Sequence, residues 1–559
     1  MTLRNFVKFI FLVSVNFSFK TLSATVFGQP EIYEPFCVII SEIMADPTPV
    51  QSLPDEEYIE LFNRSSEGVN LSGWKITAGK RTHILPDTLL LPAEYLAVGM
   101  KPVTNTGQTI TLRTKFDQVI HSVSFTDNWY NNKEKDDGGW SLEMIDTGNP
   151  CGGRSNWQAS SDLSGGTPGR KNSSARINPD RQAPFIMHAT MCTDTAVLLH
   201  FNEPLYYTDA YKSHLFSVDQ GFYHPESAHP VEPFFTDIIL KYSVPFKPGI
   251  IYRVTVLKEL KDCAGNHPDD GLFARFAETE PAELLDLVIN EVLFEAGNRI
   301  EYVEIYNRSN KVIDLATIKL AIGGENNVIE KSIRITENPA SLFPDEYRVI
   351  CRNSDILASN FAGMNPVTII ECDNLFALPD AGALLILQDT TGQVIDECYY
   401  NREKHHPMLT STAGISLERI STEKSSGDPS NWHSASYASG FGTPGKKNSQ
   451  HKTENDEVFA LSSEIISPDG DGIDDEVNFS IYLSEPGWTG DITIFNLNGQ
   501  KIRTIVSNKL TGTGEVFKWN GCSDNGDVVA PGTYLVYAAF FNSKGEIKKV
   551  KKVISVVKK

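Results

Sequence analysis

Short runs in which apolar and polar residues alternate recur along the whole chain. Residues 58–62, 252–256 and 534–537 are examples, and clusters of Gly, Pro, Asn or Asp separate such runs. A period of two places one side of a strand against a core, and these turn residues end strands. Few windows keep apolar residues at helical spacing for three turns. The pattern therefore predicts an all-β chain of β-sandwich domains joined by turns.

The length and the first residues predict several domains behind an export signal. A chain of 559 residues exceeds what one compact core supports, and its length corresponds to about four domains. Arg4 and Lys8 precede a mostly apolar stretch, and Ala24 offers a small residue for cleavage. We therefore expect a signal peptide at 1–24 rather than a buried N-terminal strand or helix. This places the protein outside the cell or on its outer surface, and no later stretch is apolar enough to predict a transmembrane span.

Charge and cysteine usage exclude two classes of function. The formal net charge is -21, and an acidic surface repels phosphate backbones, so nucleic acid is disfavoured as a partner. The eight cysteines include no Cys-x-x-Cys pair, which argues against a zinc site. Cys192 with Cys263 and Cys351 with Cys372 are candidate disulfides because each pair falls within one expected domain. Small buried apolar residues are the equal alternative.

A long-period internal repeat is the most informative feature of the sequence. The order of the matching segments is preserved, as in a duplicated domain. The matches are 40–43 with 289–292, 57–65 with 301–309, 141–143 with 416–418, 156–157 with 431–432, and 166–173 with 442–449.

Four of these features resemble the lamin-tail domain, an immunoglobulin-like (Ig-like) β-sandwich that bacteria also carry in secreted proteins. They are the opening Glu42, the Tyr-Ile-Glu-Leu-Phe-Asn strand at 58–63, the Leu-Ser-Gly-Trp turn at 71–74 and the closing Gly-Thr-Pro-Gly at 166–169. In the second copy, Leu-Ala-Thr-Ile at 315–318 replaces the Gly-Trp turn. The resemblance implies lamin-tail-like domains at 25–174 and 283–449.

Two further segments resemble other Ig-like modules. Residues 175–282 contain Phe-Asn-Glu-Pro and Asp-Cys-Ala-Gly-Asn, which are similar to a bacterial Ig-like domain. After a polar linker at 450–457, residues 458–559 resemble the Ig-like domain of flagellar hook-capping proteins and the C-terminal domains that sort cargo through type IX secretion. The resemblance implies a sorting role, and therefore secretion machinery as a partner, and a spacer is the alternative. The whole chain is thus predicted to consist of tandem Ig-like β-sandwich domains.

The repeated polar residues admit structural roles. Trp157 and Trp432 can bury a large apolar face while the indole N–H reaches an acceptor. Glu60 and Glu304 could bind a ligand or cation, or they could accept backbone or Arg hydrogen bonds at the sheet edge. We favour the structural role because no His or second carboxylate is expected to repeat beside them as a general acid–base pair requires.

One acidic loop is a candidate calcium site. Residues 469–476 contain four Asp and one Glu. Oxygen ligands at Asp469, Asp471, the Ile473 carbonyl and Asp475 could surround Ca²⁺. The spacing is not that of an EF-hand, and an Asp/Gly turn before the strand at Val477 is the alternative. Mutual repulsion among unneutralised carboxylates favours the cation.

The sequence predicts no catalytic and no cofactor-binding residue. His405 and His406 are expected in a solvated loop, and no phosphate loop, Rossmann fingerprint or hydrolase motif is present. We therefore expect a non-catalytic, adhesion-type binding or structural protein with an extracellular glycan or protein ligand. The alternative is an accessory component of a secreted hydrolase, such as an extracellular nuclease or phosphatase, or such a hydrolase itself.

Overall fold

A computed structural model describes residues 33–324, 328–452 and 458–558. Strands predominate and helices are few and short, which confirms the predicted all-β fold. The chain divides into two compact units, residues 1–178 and 179–559. The expected signal peptide at 1–24 and residues 453–457 of the expected linker lie outside the described residues. Within the described ranges, no helix is long and apolar enough to cross a membrane.

The first unit is a sandwich of a five-stranded sheet in the order β11-β10-β1-β2-β7 and a four-stranded sheet in the order β5-β4-β8-β9, with a small β3-β6 ladder beside them. Its strands are β1 (Val38–Met44), β2 (Tyr58–Asn63), β3 (Val69–Asn70), β4 (Lys75–Ala78), β5 (Arg81–Ile84), β6 (Leu89–Leu90), β7 (Tyr95–Gly99), β8 (Gly107–Arg113), β9 (Val119–Thr126), β10 (Leu142–Met144) and β11 (Trp157–Ala159).

Alternating apolar residues of the two sheets form the core of this unit. Ile59 and Leu61 on β2 face Ile110 and Leu112 on β8, and all four are fully buried. The predicted turn at 71–74 places Trp74 in the same core. Gly73 adopts φ +75° in that turn, a conformation that favours glycine because it has no Cβ.

The second unit begins with a smaller sandwich of two sheets, β12-β13-β16-β15 and β14-β17-β18. Its elements are β12 (Ile186–Thr193), β13 (Ala196–Phe201), α1 (Tyr207–Ala210), β14 (Phe216–Val218), β15 (Ser227–Val231), β16 (Asp237–Lys241), β17 (Tyr252–Val256) and β18 (Phe273–Phe276). Phe201, Phe216 and Phe276 are fully buried and lie in one hydrophobic cluster, so this sandwich has a core of its own.

The next sandwich combines a six-stranded sheet, β26-β25-β20-β19-β29-β30, with a four-stranded sheet, β23-β22-β27-β28, and a β21-β24 ladder. Its elements are β19 (Leu287–Leu293), β20 (Tyr302–Asn307), β21 (Ile313–Asp314), β22 (Ile318–Gly323), β23 (Ile329–Arg334), β24 (Ser341–Leu342), β25 (Tyr347–Cys351), α2 (Ser354–Asn360), β26 (Ile369–Glu371), β27 (Ala383–Asp389), β28 (Val394–Tyr400), β29 (Leu417–Arg419) and β30 (Trp432–Ser434).

The last sandwich pairs the sheets β31-β33-β36 and β32-β38-β37-β34-β35 around a core that includes Trp488, Trp519 and Phe540. Its strands are β31 (Val458–Leu461), β32 (Ile465–Ile466), β33 (Val477–Tyr482), β34 (Trp488–Asn496), β35 (Lys501–Thr511), β36 (Gly514–Trp519), β37 (Gly532–Asn542) and β38 (Ile547–Val556).

Sandwiches that follow one another along the second unit are in contact. Between its first and second sandwiches, Ala277 packs with Val312 and Phe343 in one buried cluster. Between the second and third, the Tyr437 N–H donates to the Leu510 carbonyl at 2.9 Å and the Thr513 N–H donates to the Ser449 carbonyl at 2.9 Å. Backbone hydrogen bonds thus cross the boundary before the C-terminal sandwich.

The two candidate disulfides are not formed. Cys192, Cys351 and Cys372 carry free thiols. Cys351 is buried in the cluster beside α2, whereas the Cys372 thiol lies 3.7 Å from the Arg334 carbonyl. The two thiols therefore point into different surroundings, although the Cys372 N–H donates to the Cys351 carbonyl.

Candidate functional site

Three buried glutamates lie side by side in the first unit. In the five-stranded sheet, Glu42 on β1 is directly opposite Glu143 on β10 and Glu60 on β2. Residues that are directly opposite on neighbouring strands share one face of the sheet. All three side chains are fully buried, so these carboxyl groups must find their hydrogen bonds inside the protein.

A β-bulge adds a polar neighbour to this cluster. The register of β1 against β2 shifts between Ile40 and Glu42, with Ser41 as the extra residue. A bulge turns consecutive side chains toward the same side. As a result the Ser41 hydroxyl donates to Glu60 Oε1 at 2.9 Å, next to the carboxyl group of Glu42.

The closing segment of the first unit, residues 166–174, covers the three carboxyl groups and supplies most of their donors. Its backbone N–H groups donate from Thr167 to Glu42, from Gly169 to Glu60 and from Ser174 to Glu143 at 2.6–2.7 Å. The remaining donors to Glu42 are the Tyr58 hydroxyl at 2.6 Å, the Ser141 hydroxyl at 2.5 Å and the Thr167 hydroxyl at 3.0 Å.

The second unit contains the same arrangement. Glu291 on β19 is opposite Glu418 on β29 and Glu304 on β20, again beside a bulge, here at Asn290. The closing segment at 442–450 covers the cluster, and its backbone N–H groups donate from Thr443 to Glu291 at 2.9 Å, from Gly445 to Glu304 at 2.5 Å and from Gln450 to Glu418 at 2.8 Å.

Burial and mutual repulsion raise the pKa of five of these carboxyl groups, those of Glu42, Glu60, Glu291, Glu304 and Glu418. Burial, followed by the negative charge of Glu42, raises the pKa of Glu60 to about 8. Burial, followed by the charge of Glu291, raises the pKa of Glu418 to about 8. The pKa of Glu304 is raised well above its usual range by the same two causes. Adjacent carboxylates in a low-dielectric site cannot all be ionised without strong repulsion.

One expectation about these residues is wrong and a second needs correction. A second and a third carboxyl group do repeat beside Glu60 and Glu304, because pairing with β1 or β19 brings distant residues alongside. The two glutamates are also not at a sheet edge, since β2 lies between β1 and β7 and β20 lies between β19 and β25. Each accepts one backbone N–H group and one neighbouring polar side chain, which agrees with the structural role that we favoured.

The structure also reveals a polar pair that the sequence did not indicate. His121 Nδ1 accepts the Ile40 N–H at 2.9 Å, and Asp396 Oδ2 accepts the Ile289 N–H at 2.8 Å. Ile40 and Ile289 are equivalent in the repeat, so two different side chains satisfy the same backbone group. Asp396 also lies 3.5 Å from Arg419, and both side chains are buried. No spacing rule could have found a His in one copy and an Asp in the other.

The prediction of a solvated loop at His405 and His406 is wrong. Both residues are buried. The Ser434 hydroxyl contacts both of them: it lies 2.9 Å from His405 Nδ1 and accepts the His406 N–H at 2.9 Å. The His405 ring also packs against Phe294, with 5.6 Å between ring centroids. Burial lowers the pKa of His405 to about 4, so this imidazole is neutral near pH 7. As anticipated, Trp432 is buried and its indole N–H donates to the Ser426 carbonyl at 2.8 Å.

The aspartate loop brings its predicted side-chain ligands together. One carboxylate oxygen from each of Asp469, Asp471 and Asp475 lies within 4.8 Å of the others. The Ile473 carbonyl is within 3.5 Å of the Ser467 hydroxyl. The Asp475 carboxylate also accepts backbone N–H groups of Asp469, Gly470 and Gly472 at 2.7–3.0 Å. These bonds close the turn, and the three grouped carboxylates are oxygen ligands of the kind that Ca²⁺ prefers.

The raised pKa values predict a loss of stability as the pH rises from mild acid to about 8. A carboxyl group whose pKa is raised in the folded state contributes stability that is present below its unfolded pKa and is lost as the pH rises through its folded pKa. Glu60 and Glu418, with pKa values of about 8, should therefore lower the melting temperature between pH 6 and pH 9. Thermal melts across that range measure it. In the variant that combines Glu60→Gln and Glu418→Gln the decline should be shallower, and an unchanged decline would assign it to other groups.

The fold defines the class of protein: the chain consists of two-sheet β-sandwiches, and each unit contains one cluster of buried glutamates. Residues 36–145 match the family model of the Lamin Tail Domain, so the first unit contains a domain of this kind. None of the curated proteins matches the sequence.

Several solved structures match the chain at low identity. The N-terminal part of the bacterial S-layer protein SbsC is 15% identical, the match covers 31% of this chain and 41% of that one, and the TM-score is 0.16. The chain thus spans less than half of that structure. CopC from Methylosinus trichosporium OB3b is 14% identical, the match covers 18% of this chain and 93% of that one, and the TM-score is 0.13. SGBP-B of the Bacteroides ovatus mixed-linkage glucan utilization locus, solved in complex with a mixed-linkage heptasaccharide, is 9% identical. The match covers 82% of this chain and 86% of that one, and the TM-score is 0.16. Because all these TM-scores are low, the likenesses carry no argument about function.

Proposed function

We propose that this chain is a secreted or cell-surface protein of the binding or structural, adhesion type, without a catalytic site of its own. The observation that carries the proposal is the use of the repeated polar residues. The six glutamates of the two clusters are fully buried and hold the closing segments by hydrogen bonds. Carboxyl groups that are covered in this way stabilise a sandwich and are out of reach of a substrate.

The module assignment is part of the same proposal. Residues 283–449 are a second lamin-tail-like domain, supported by the repeated glutamate cluster, bulge and closing segment. Residues 175–282 are a bacterial Ig-like spacer, and residues 458–559 are a C-terminal Ig-like domain that addresses the chain to the surface through secretion machinery. Stacked sandwiches of this type present their loops to an extracellular glycan or protein.

Two measurements on the full chain test the function. Purified protein should show no turnover of DNA, RNA or phosphate-ester substrates. On intact producing cells, it should be accessible to an added protease. Turnover that follows the purified protein through two columns would support the hydrolase alternative instead, and protection from protease in intact cells would contradict surface display.

Calcium binding by the aspartate loop is a second part of the proposal. Asp469, Asp471, the Ile473 carbonyl and Asp475 would supply the ligands, and Ca²⁺ would relieve the repulsion among the carboxylates. An ion that binds only the folded loop stabilises it by mass action, by about 2.7 kcal/mol at a hundredfold excess over Kd.

Melting of the full chain with Ca²⁺ and with chelator measures this effect. The transition of the C-terminal sandwich should move up with Ca²⁺. The shift should vanish in Asp475→Asn and persist in the matched control Asp527→Asn, an exposed aspartate of the same sandwich that lies outside the loop. If the wild-type melts with Ca²⁺ and with chelator coincide, the loop is only a turn.

A further inference from the structure

The second unit contains two cavities of about 410 Å³ and another of about 380 Å³. The cavity of about 380 Å³ is distinguished by its charges. It lies in the sandwich formed by β19–β30, between the segment after β19 and the end of β25. Its lining consists of Ala296, Gly297, Arg299, Ile300, Glu301, Arg352 and Asp380.

Arg299 is an unpaired cation in this cavity. Within the described part of the chain no carboxylate lies within 4.0 Å of its guanidinium, and Nη1 is buried without a hydrogen-bond acceptor. Burying a polar N–H group without an acceptor is unfavourable, and the unsatisfied Nη1 of Arg299 points to a ligand.

The guanidinium is held in place before any ligand arrives. Its central carbon lies 4.8 Å from the centroid of the Phe361 ring, a cation–π contact that favours this position of the group. The Arg299 N–H donates to the Ala296 carbonyl at 3.0 Å, which fixes the turn that carries the side chain. The guanidinium of an arginine offers its donors as a planar fork that matches a carboxylate.

The two acidic residues of the cavity, Glu301 and Asp380, use only part of their capacity to accept hydrogen bonds. Glu301 accepts the Leu378 N–H at 3.2 Å and lies 3.9 Å from Arg352. Asp380 lies 3.8 Å from Arg402. A carboxylate has about four acceptor positions, so Glu301 and Asp380 retain capacity to accept from a hydroxylated ligand.

We propose that this cavity binds a hexuronate, a sugar with one carboxylate, placing that carboxylate on Arg299 and its hydroxyl groups toward Glu301 and Asp380. A neutral sugar would leave Arg299 without an anion. Phosphate or sulfate would bring more negative charge beside two carboxylates. A peptide carboxylate would pair with Arg299 but would offer no hydroxyl groups to the two acidic residues.

The inference rests on the binding role proposed above and specifies its ligand as an acidic polysaccharide. The equivalent position in the first unit precedes β2, where the chain reads Asp55-Glu56-Glu57. The cation is therefore particular to the sandwich formed by β19–β30, and one site per chain is expected.

Calorimetric titration of the full chain with glucuronate tests the proposal. The wild type should bind one equivalent, and Arg299→Gln should weaken binding about tenfold or more, because a hydrogen bond to a charged group contributes about 1.5–3 kcal/mol. Arg299→Lys keeps the charge but not the fork, and should bind between the two. The matched control Arg334→Gln removes an exposed arginine of the same sandwich that pairs with Glu337, and should bind as the wild type does.

Glucose and N-acetylalanine separate the remaining ligand classes. Neither should bind measurably where glucuronate does. Equal binding of glucose would overturn the role of the carboxylate, and equal binding of N-acetylalanine would assign the cavity to a peptide carboxylate instead. Absence of glucuronate binding, or wild-type affinity in both Arg299 variants, would overturn the proposal. Surface display and lack of turnover would be untouched by that result, so the two failures are distinguishable.

Discussion

Replacing Glu42 with Ala should destabilise the first sandwich by about 4 kcal/mol or more. Three donors lose their acceptor in this variant, namely the Tyr58 and Ser141 hydroxyls and the Thr167 N–H, whereas the Thr167 hydroxyl keeps Glu143 Oε1 at 3.0 Å. Each buried donor left unsatisfied costs about 1–3 kcal/mol, and the deletion also leaves a cavity. Relief of the repulsion between Glu42 and Glu60 offsets part of this loss. Since domains are stable by about 5–15 kcal/mol, a large share of the folding free energy is at stake.

Urea unfolding followed by tryptophan fluorescence measures this loss, because Trp74 and Trp157 are buried in the same core. Glu56→Ala is the matched control, since Glu56 is exposed, and should change the free energy of unfolding by less than about 0.5 kcal/mol. Tyr58→Phe removes one donor and its hydrogen bond and should cost about 1 kcal/mol. Equal midpoints for Glu42→Ala and Glu56→Ala would mean that the cluster does not stabilise the fold.

Replacing Gly166 with Ala should have the second largest effect, a loss of about 3 kcal/mol. A Cβ at this position would lie 2.5 Å from the Tyr58 hydroxyl, 2.7 Å from Glu42 Oε1 and 2.9 Å from the Ser141 hydroxyl. These atoms are hydrogen-bonded to one another, so they cannot move apart without breaking the cluster. Overpacking of a tight site costs about 1–3 kcal/mol, and the lost hydrogen bonds add to it.

Gly99→Ala serves as the control for this variant. Gly99 ends β7 in the same unit, and nothing lies within 4 Å of the position that its Cβ would take. The same urea titration should therefore show almost no change for Gly99→Ala. The equivalent variant in the second unit, Gly442→Ala, would place its Cβ 2.8 Å from the Tyr302 hydroxyl and should lose stability as Gly166→Ala does. A tolerant Gly166 would show that the closing segment can move away from the cluster.

The clusters explain how a lamin-tail-like sandwich closes. Its last segment contains little apolar surface, with Gly, Thr, Pro, Arg, Lys, Asn and Ser in the stretch 166–173, so burial alone would not hold it. Buried carboxyl groups accept its backbone N–H groups and so replace the hydrophobic contacts that it lacks. A fully satisfied polar network of this kind fixes one arrangement of the chain.

The strands and the order of the repeat followed from the sequence by itself. Residues 58–62 and 252–256 lie in β2 and β17, and residues 534–537 lie in β37. These predictions are local, because a strand with one buried face alternates apolar and polar residues whatever its partners are. The repeat likewise needed only a comparison of the chain with itself, and it singled out Glu42, Glu60 and Glu143 as separate matches.

Only the tertiary structure showed that those glutamates form one cluster. Glu143 reaches Glu42 because β10 pairs with β1 from about a hundred positions away in the chain, and the bulge at Ser41 changes which side chains share a face. Pairing between distant strands, and the register of that pairing, depend on the whole core, so no local pattern contains them. The same reason applies to Arg299, for which the described residues provide no carboxylate within 4.0 Å, and to His405, which is buried beside Ser434.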